Sequence, residues 1–367
     1  MQTTATARKN APLGLPHDVA ALLTRWRLTL PGLLTDTNPK LNRGEGRAVI
    51  LHHTPADTLA RYLSPGAPGP VAARSYLPDL ADLAARNGME AAGARHNGCP
   101  WSTPACRADC LAFSGHGGMG TAPANARGRR TLAMIEDPVA YGRAVLWAIA
   151  YHHRRAAQQG HRLAVRLRGT DEGPGIGWHR LRLPISAAES LQLARRFGLN
   201  VPVAGGPGDP DGGATLADLA GHLAAFYEYT KAPLRGALGL ESQRAAGWDV
   251  TASMAPDSPD AVRRAIDAAR AGFRVAVPVA LRKGQPIPSL LTLRAKDREP
   301  LTLATVDGDL SDHRYRDPHG VAVVLRAKRS RGGEGLGSAF FLRAPDAPRP
   351  GLRALTDLPD GVAALEW

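Results

Sequence analysis

The chain has 367 residues, 44% hydrophobic, and its 46 basic against 33 acidic side chains leave a formal charge of +13. That length builds a sizeable core without staples, which sets aside the disulfide-dense miniprotein class, and no apolar run reaches the ~18 residues of a membrane span. The opening stretch "MQTTATARKNAPLGLPHD" holds no signal-like apolar run, so a soluble, cytoplasmic protein with no membrane partner is expected.

The excess charge is mostly arginine scattered through a chain rich in Ala, Gly and Pro, densest at "ARGRR" (126–130), "YHHRRAAQQGHR" (151–162) and "LRAKRSRGG" (325–333). This basic surface leaves contact with nucleic acid open. With 5% aromatic residues, however, no stacking platform for single strands is evident.

Residues 1–37 read as a loosely ordered lead-in with one amphipathic piece, "DVAALLTRWRLTL". "RAVILHH" suits a buried strand, and "PADTLARYL" and "SYLPDLADLAARNGM" carry helical periodicity. "PANARGRRTLAMIED" and the long "PVAYGRAVLWAIAYHHRRAAQQG" follow as helices, the second capped by Asp137 with Pro138 at its first turn. From residue 162 short apolar runs ("RLAVRLRGT", "AAFYEYT", "WDVTAS", "FRVAVPVAL", "LTLATVDGD", "VAVVLRAK") alternate with helical ones ("SAAESLQLARRFG", "TLADLAGHL", "GALGLESQRAAG", "PDAVRRAIDAARAG"). Such alternation builds parallel strands covered by crossover helices. The expected architecture is α/β, a complete or partial (β/α) barrel forming a single large domain over residues 38–345, with 346–367 as a tail.

All three cysteines fall between positions 99 and 110, in "HNGCPWSTPACRADCLAFSG". Cys106 and Cys110 stand four apart, the spacing of one helix face, with Cys99 approaching from the preceding loop. Three readings stay open: inert buried thiols, a structural Cys3His zinc site completed by His96 or His116, or an iron–sulfur cluster. In the last, three thiolates hold three irons of a [4Fe–4S] cube and leave the fourth open to substrate or cofactor.

Several polar residues follow directly on strands, where parallel α/β sheets place their ligand sites. Candidates for one pocket are Arg166, Thr170, Asp171, Tyr229, Lys231, Ser253 and Asp307, with Lys328 after the last strand. Lys231, Asp171 and Asp307 are the candidate catalytic groups: a lysine at a sheet mouth holds an anion or acts as a base, and a carboxylate holds an amine or a ribose hydroxyl. Arg166, Thr170, Tyr229 and Ser253 are candidate cofactor contacts. The acids of "VDGDLSDHRYRD" (306–317) suit a turn better than a cation site, with Arg314 and Asp317 pairing structurally. The histidine pairs at 52–53 and 152–153 have no metal-demanding spacing and read as solvated or capped.

Taken together, "NPKL" (38–41), the C-x6-C-x3-C loop running into "CLAFSG" (110–115), "ARGRRT" (126–131), "VRLRGTDE" (165–172), "FYEYTK" (226–231) and "VDGDLSDHRYRDPHG" (306–320) resemble the gene product 88 family of phages and actinobacterial mobile elements. The resemblance runs from about residue 38 to 345. It departs at "RLRGTDE", where the family reads "RLNGTSD". The loop is also similar to that of radical S-adenosylmethionine enzymes, in which three cysteines, usually spaced C-x3-C-x2-C, hold a [4Fe–4S] cluster at the mouth of a partial barrel. These likenesses imply a radical-type iron–sulfur enzyme, with S-adenosylmethionine as a cofactor and a small-molecule or nucleotide substrate. The competing expectation is a non-catalytic nucleic-acid-binding module with a structural zinc.

Overall fold

The structure, a computed structural model, describes residues 14–36, 46–67, 76–113, 121–172, 177–206, 209, 212–281, 285–327, 341–342 and 364–366. Its strands are β1 (Leu34–Thr35), β2 (Gly46–Leu51), β3 (Arg162–Arg166), β4 (Ala224–Thr230), β5 (Asp249–Ser253), β6 (Arg274–Val279), β7 (Leu290–Ala295), β8 (Arg298–Asp307), β9 (Ala322–Arg326) and β10 (Ala364–Glu366). Its helices are α1 (His17–Arg25), α2 (Leu30–Leu33), α3 (Thr58–Leu63), α4 (Pro78–Arg86), α5 (Glu90–Ala94), α6 (Pro104–Ala108), α7 (Ala122–Glu136), α8 (Pro138–Ala157), α9 (Ala187–Phe197), α10 (Leu216–Ala220), α11 (Leu240–Ala245) and α12 (Pro259–Arg270).

The strands form one sheet in the order β1-β2-β3-β4-β5-β6-β9-β8-β7-β10. From β2 to β8 every neighbouring pair is parallel, as the alternation of runs predicts. β1, β7 and β10 are antiparallel additions at the two ends. The sheet does not close, because β1 and β10 stand at opposite ends of the order; the expected α/β sheet is present, whereas closure into a complete barrel is not.

Side chains alternate across each strand, so the sheet has two faces of different character. Val49 and Leu51 of β2, Leu163 and Val165 of β3, Phe226 of β4, Val250 of β5, and Val275 and Val277 of β6 join the helices in one continuous core. In α8, Asp137 accepts the Ala140 N–H at 2.9 Å as the expected cap, and Leu146, Trp147 and Ile149 are fully buried. Each large apolar side chain buried this way contributes about 1.5–3 kcal/mol. The opposite face carries a small cluster of Ala48, Ile50, Ala164 and Tyr227, against which Tyr315 packs.

Crossover handedness explains what covers that second face. Steps from β2 through β6 advance in one direction with helices on one side; β8 to β9 steps back, and a right-handed connection must then run over the other side. The 308–321 segment does so, laying a 3₁₀ turn (Arg314–Arg316) against β4 and β5, with the Tyr315 ring 5.8 Å from that of Tyr227.

Two segments depart from the sequence reading. Residues 14–36, expected in a loose lead-in, belong to the core: Val19, Leu23, Trp26 and Leu30 are fully buried, and β1 pairs with β2. Ala364–Glu366, in the expected tail, adds a strand to β7. No helix among the described residues is long and apolar enough to cross a membrane.

Candidate cysteine site

Between β2 and β3 the chain makes its longest excursion, through α3 to α8, and the cysteine loop in its middle returns to the carboxyl edge of the sheet. Loops leaving four strands fasten it there. After β2, the Ala56 carbonyl accepts the Gly98 N–H at 2.9 Å; after β3, the Glu172 N–H donates to the Gly98 carbonyl at 2.7 Å. Only glycine fits between them, since a Cβ at position 98 would stand 2.5 Å from the Thr54 carbonyl oxygen. After β5, Asp257 accepts from Thr103 Oγ1 at 2.7 Å and from the Ala105 N–H at 3.2 Å, while Thr103 caps α6 by accepting the Cys106 N–H. After β4, the Lys231 ammonium is attracted to Cys106.

Cys99, Cys106 and Cys110 line one pocket together with Pro55, Ala56, Ser102, Arg107 and Phe113, a shallow, solvent-open hollow with a cavity volume of about 20 Å³. Cys106 lies within α6 and Cys110 just beyond its end. The Ala56 and Ala112 backbone N–H groups act to lower the Cys99 and Cys110 pKa, and the Lys231 ammonium is attracted to Cys106. Ala56 holds a positive φ of 45°, a strained backbone state for a residue with a Cβ and one that clusters at functional sites.

The electrostatics of the thiols follow from this setting. Burial first, then the charges of Glu172, Cys110 and Asp171, push the Cys99 thiol well up; burial and Cys106 push Cys110 up to about 11. Burial acts to lower the Lys231 pKa, but attraction to Cys106, Glu172 and Cys99 outweighs it, and the ammonium is held. Glu172 accounts for the position of that lysine. Its Oε2 accepts from Thr230 Oγ1 at 2.6 Å and from the Lys231 N–H at 3.1 Å, and its Oε1 lies 3.6 Å from Lys231 Nζ.

Of the residues singled out from the sequence, Thr170 and Lys231 meet the cysteines. The Thr170 carbonyl lies 3.9 Å from Cys99 Sγ, and its hydroxyl donates to the His53 carbonyl at 2.6 Å. Asp171 sits behind Cys99, its Oδ1 3.6 Å from His53 Nδ1, and His53 stacks on Trp178 and meets Tyr141 Oη at 3.2 Å. His53 and His152 are buried, and of the solvated or capped expectation it is capping that holds: Tyr141 Oη meets His53 and the Pro31 carbonyl meets His152 at 3.3 Å. His52 beside them is kept neutral, lowered to about 3 by burial and then by Arg130, Arg166 and Arg127.

Arg166, Tyr229, Ser253 and Asp307 do not line the cysteine pocket. The Arg166 guanidinium stacks on the Tyr229 ring at 4.6 Å, and Ser253 is half-buried at the end of β5. Asp307 lies two strands beyond β6 and binds Arg326 at 2.6 Å, while Asp309 accepts the Arg326 N–H at 2.9 Å. Arg314 and Asp317 pair at 2.8 Å, as expected. His116, Lys328 and the "NPKL" stretch lie outside the described residues. Among the described residues no three His, Cys, Asp or Glu side chains are drawn together closely enough to hold a single metal ion.

Three contributors escaped the sequence reading. Asp257 follows β5 in "MAPDSP", so the post-strand rule that singled out Lys231 reaches it too. Glu172, the neighbour of Asp171 after β3, positions Lys231. Arg107, set between two of the cysteines, gave no signal beyond its place. The sequence matches no family model, and no curated protein or solved structure matches it.

Proposed function

We propose that Cys99, Cys106 and Cys110 hold a [4Fe–4S] cluster and that the protein is an enzyme acting on a small molecule or nucleotide beside it. The frame is read as a partial (β/α) barrel akin to those of radical S-adenosylmethionine enzymes, and the chain as a relative of the gene product 88 family. One observation carries the reading: three sulfurs from one loop line the same pocket, with the Lys231 ammonium attracted to two of them, Cys106 and Cys99. Inert thiols need no cation held beside them, whereas a fixed charge near ligating sulfur tunes an iron–sulfur centre.

A cluster held by three thiolates supplies one-electron chemistry and leaves one iron open to substrate or to S-adenosylmethionine. The chain's own groups have separable tasks. Lys231 places a fixed positive charge at Cys106, and Glu172 keeps it there. Pro55, Ala56 and Phe113 give the pocket apolar walls that limit water and strengthen every charge interaction within. His53 and Asp171, buried behind Cys99, hold the post-β3 loop that the cysteine loop rests on.

Anaerobic purification followed by iron and acid-labile sulfide analysis tests the proposal. The expected protein is brown, carries iron and sulfide in equal amounts, and loses both on Cys106→Ala. A colourless protein with one zinc per chain would overturn it in favour of a structural site in a nucleic-acid-binding module. Affinity for DNA or RNA that falls steeply with salt would then support that module.

A further inference from the structure

Arg107 lies on α6 between Cys106 and Cys110, and its side chain lines the same pocket. Its Nε is closed off from solvent without a hydrogen-bond partner, and no carboxylate or carbonyl among the described residues engages its guanidinium. Four other enclosed arginines meet a carboxylate, while Arg129 and Arg264, which also bury an Nε without an acceptor, lie away from this pocket. Arg274 pairs with Asp249, Arg314 with Asp317, Arg143 with Glu189 and Arg326 with Asp307. A partly desolvated guanidinium that faces a pocket and meets no acceptor is a group awaiting one.

The charges nearby point the same way. Lys231 is offset by Glu172, while Arg127 adds a second cation within reach of Cys110. Ser102, the other polar side chain on the wall, spends its hydroxyl on the Cys99 carbonyl at 2.7 Å. Arg107 is therefore the pocket-lining group with donors to spare, and its planar fork matches the paired oxygens of a carboxylate or phosphate.

We infer that Arg107 is an oxyanion anchor, and that the substrate of the cysteine pocket carries a carboxylate or phosphate group bound bidentately by this side chain. The inference rests on the proposed function only in treating the pocket as the reaction site. Binding of the anion needs no iron, so the two readings fail separately.

The test uses the metal-free full-length protein, titrated calorimetrically at fixed ionic strength with inorganic pyrophosphate and, separately, with succinate. Wild-type protein is expected to bind at least one of them at one site per chain. Arg107→Gln should weaken that binding at least tenfold and Arg107→Lys by less, because a lysine keeps the charge but loses the fork. Arg195→Gln, on the exposed face of α9, should change nothing, and circular dichroism and melting should show Arg107→Gln folded. Failure of wild-type protein to bind either anion, or undiminished binding by Arg107→Gln, overturns the proposal. Iron and sulfide are measured in parallel on anaerobic samples. Iron lost from Arg107→Gln, with no anion bound by wild type, assigns Arg107 to the inorganic centre and overturns the substrate role. Anion binding in a chain that never loads iron leaves Arg107 standing and removes the cluster.

Discussion

The two ends of the parallel sheet differ in how their buried arginines are paired. At the amino end, Arg274 begins β6 with 0% exposure and meets Asp249 on the neighbouring strand, the Asp317 carbonyl at 3.2 Å and His319 at 3.4 Å. Arg314 meets Asp317, and Tyr315 closes over Tyr227. At the carboxyl end, Arg107 meets no acceptor and His96 Nε2 and Glu228 Oε2 are buried without hydrogen bonds. Ion pairs anchor the amino end although Arg274 Nε and Arg314 Nε there meet no acceptor, whereas Arg107 at the ligand end of the sheet has no ion pair at all.

The largest effect should come from breaking an ion pair at the amino end. Arg274→Ala leaves Asp249 facing an apolar gap and is expected to cost about 3–5 kcal/mol in urea denaturation. A loss below about 1 kcal/mol would show that the amino end is no more committed to stability than a surface pair.

Glu228 sharpens the contrast through pH. Burial raises its carboxyl to about 7 against the pull of Arg168 and Arg166, while the Leu167 N–H donates to Oε1 at 2.7 Å. Between the usual carboxylate value and about 7 the unfolded chain has released this proton and the folded chain still holds it. Stability from this group therefore falls as pH rises across that window, by on the order of 3 kcal/mol, and is level above it. His52 and His152, lowered first by burial, tilt the profile the other way below neutrality, so the difference between wild type and Glu228→Gln isolates the carboxyl. Matching pH profiles for the two proteins would remove it.

Smaller still is Asp257→Ala, which frees Thr103 Oγ1 and the Ala105 N–H at the start of α6. A cost of about 1–2 kcal/mol is expected, together with faster alkylation of Cys106 as the loop loosens. Unchanged alkylation would mean that the other three loops suffice to hold it. Smallest is Arg107→Gln, which should stay within about 0.5 kcal/mol of wild type because no partner is lost. A larger penalty would mean that the guanidinium packs for stability after all.

Much of the site was legible because the rules that place it are local. "AAFYEYT" became β4 at Ala224–Thr230, and the residues just past it, Thr230 and Lys231, stand at the carboxyl rim as parallel strands require. The same rule misassigned Asp307. Its strand also ends at that rim, but the order β6-β9-β8 puts it beside Arg326 and away from the cysteines. Whether histidines 53 and 152 are solvated or capped could not be read, because flanking sequence says nothing about which helix will cover a side chain. Here Tyr141 and Trp178 enclose one, and Pro31 and Asp36 the other.

Apolar periodicity, caps and post-strand polarity act over a few residues, and those features of this chain could be read before any coordinates: the parallel strands, the capped α8, the clustering of thiols on one loop. Which strands lie side by side, which face the 308–321 connection covers, and which charge finds a partner depend on contacts between residues tens to hundreds of positions apart. Asp257 reaches Thr103 across 154 positions, and nothing near either residue announces it. Long-range packing gave Arg274 and Arg314 a carboxylate each at one end of the sheet and left Arg107 without one at the other.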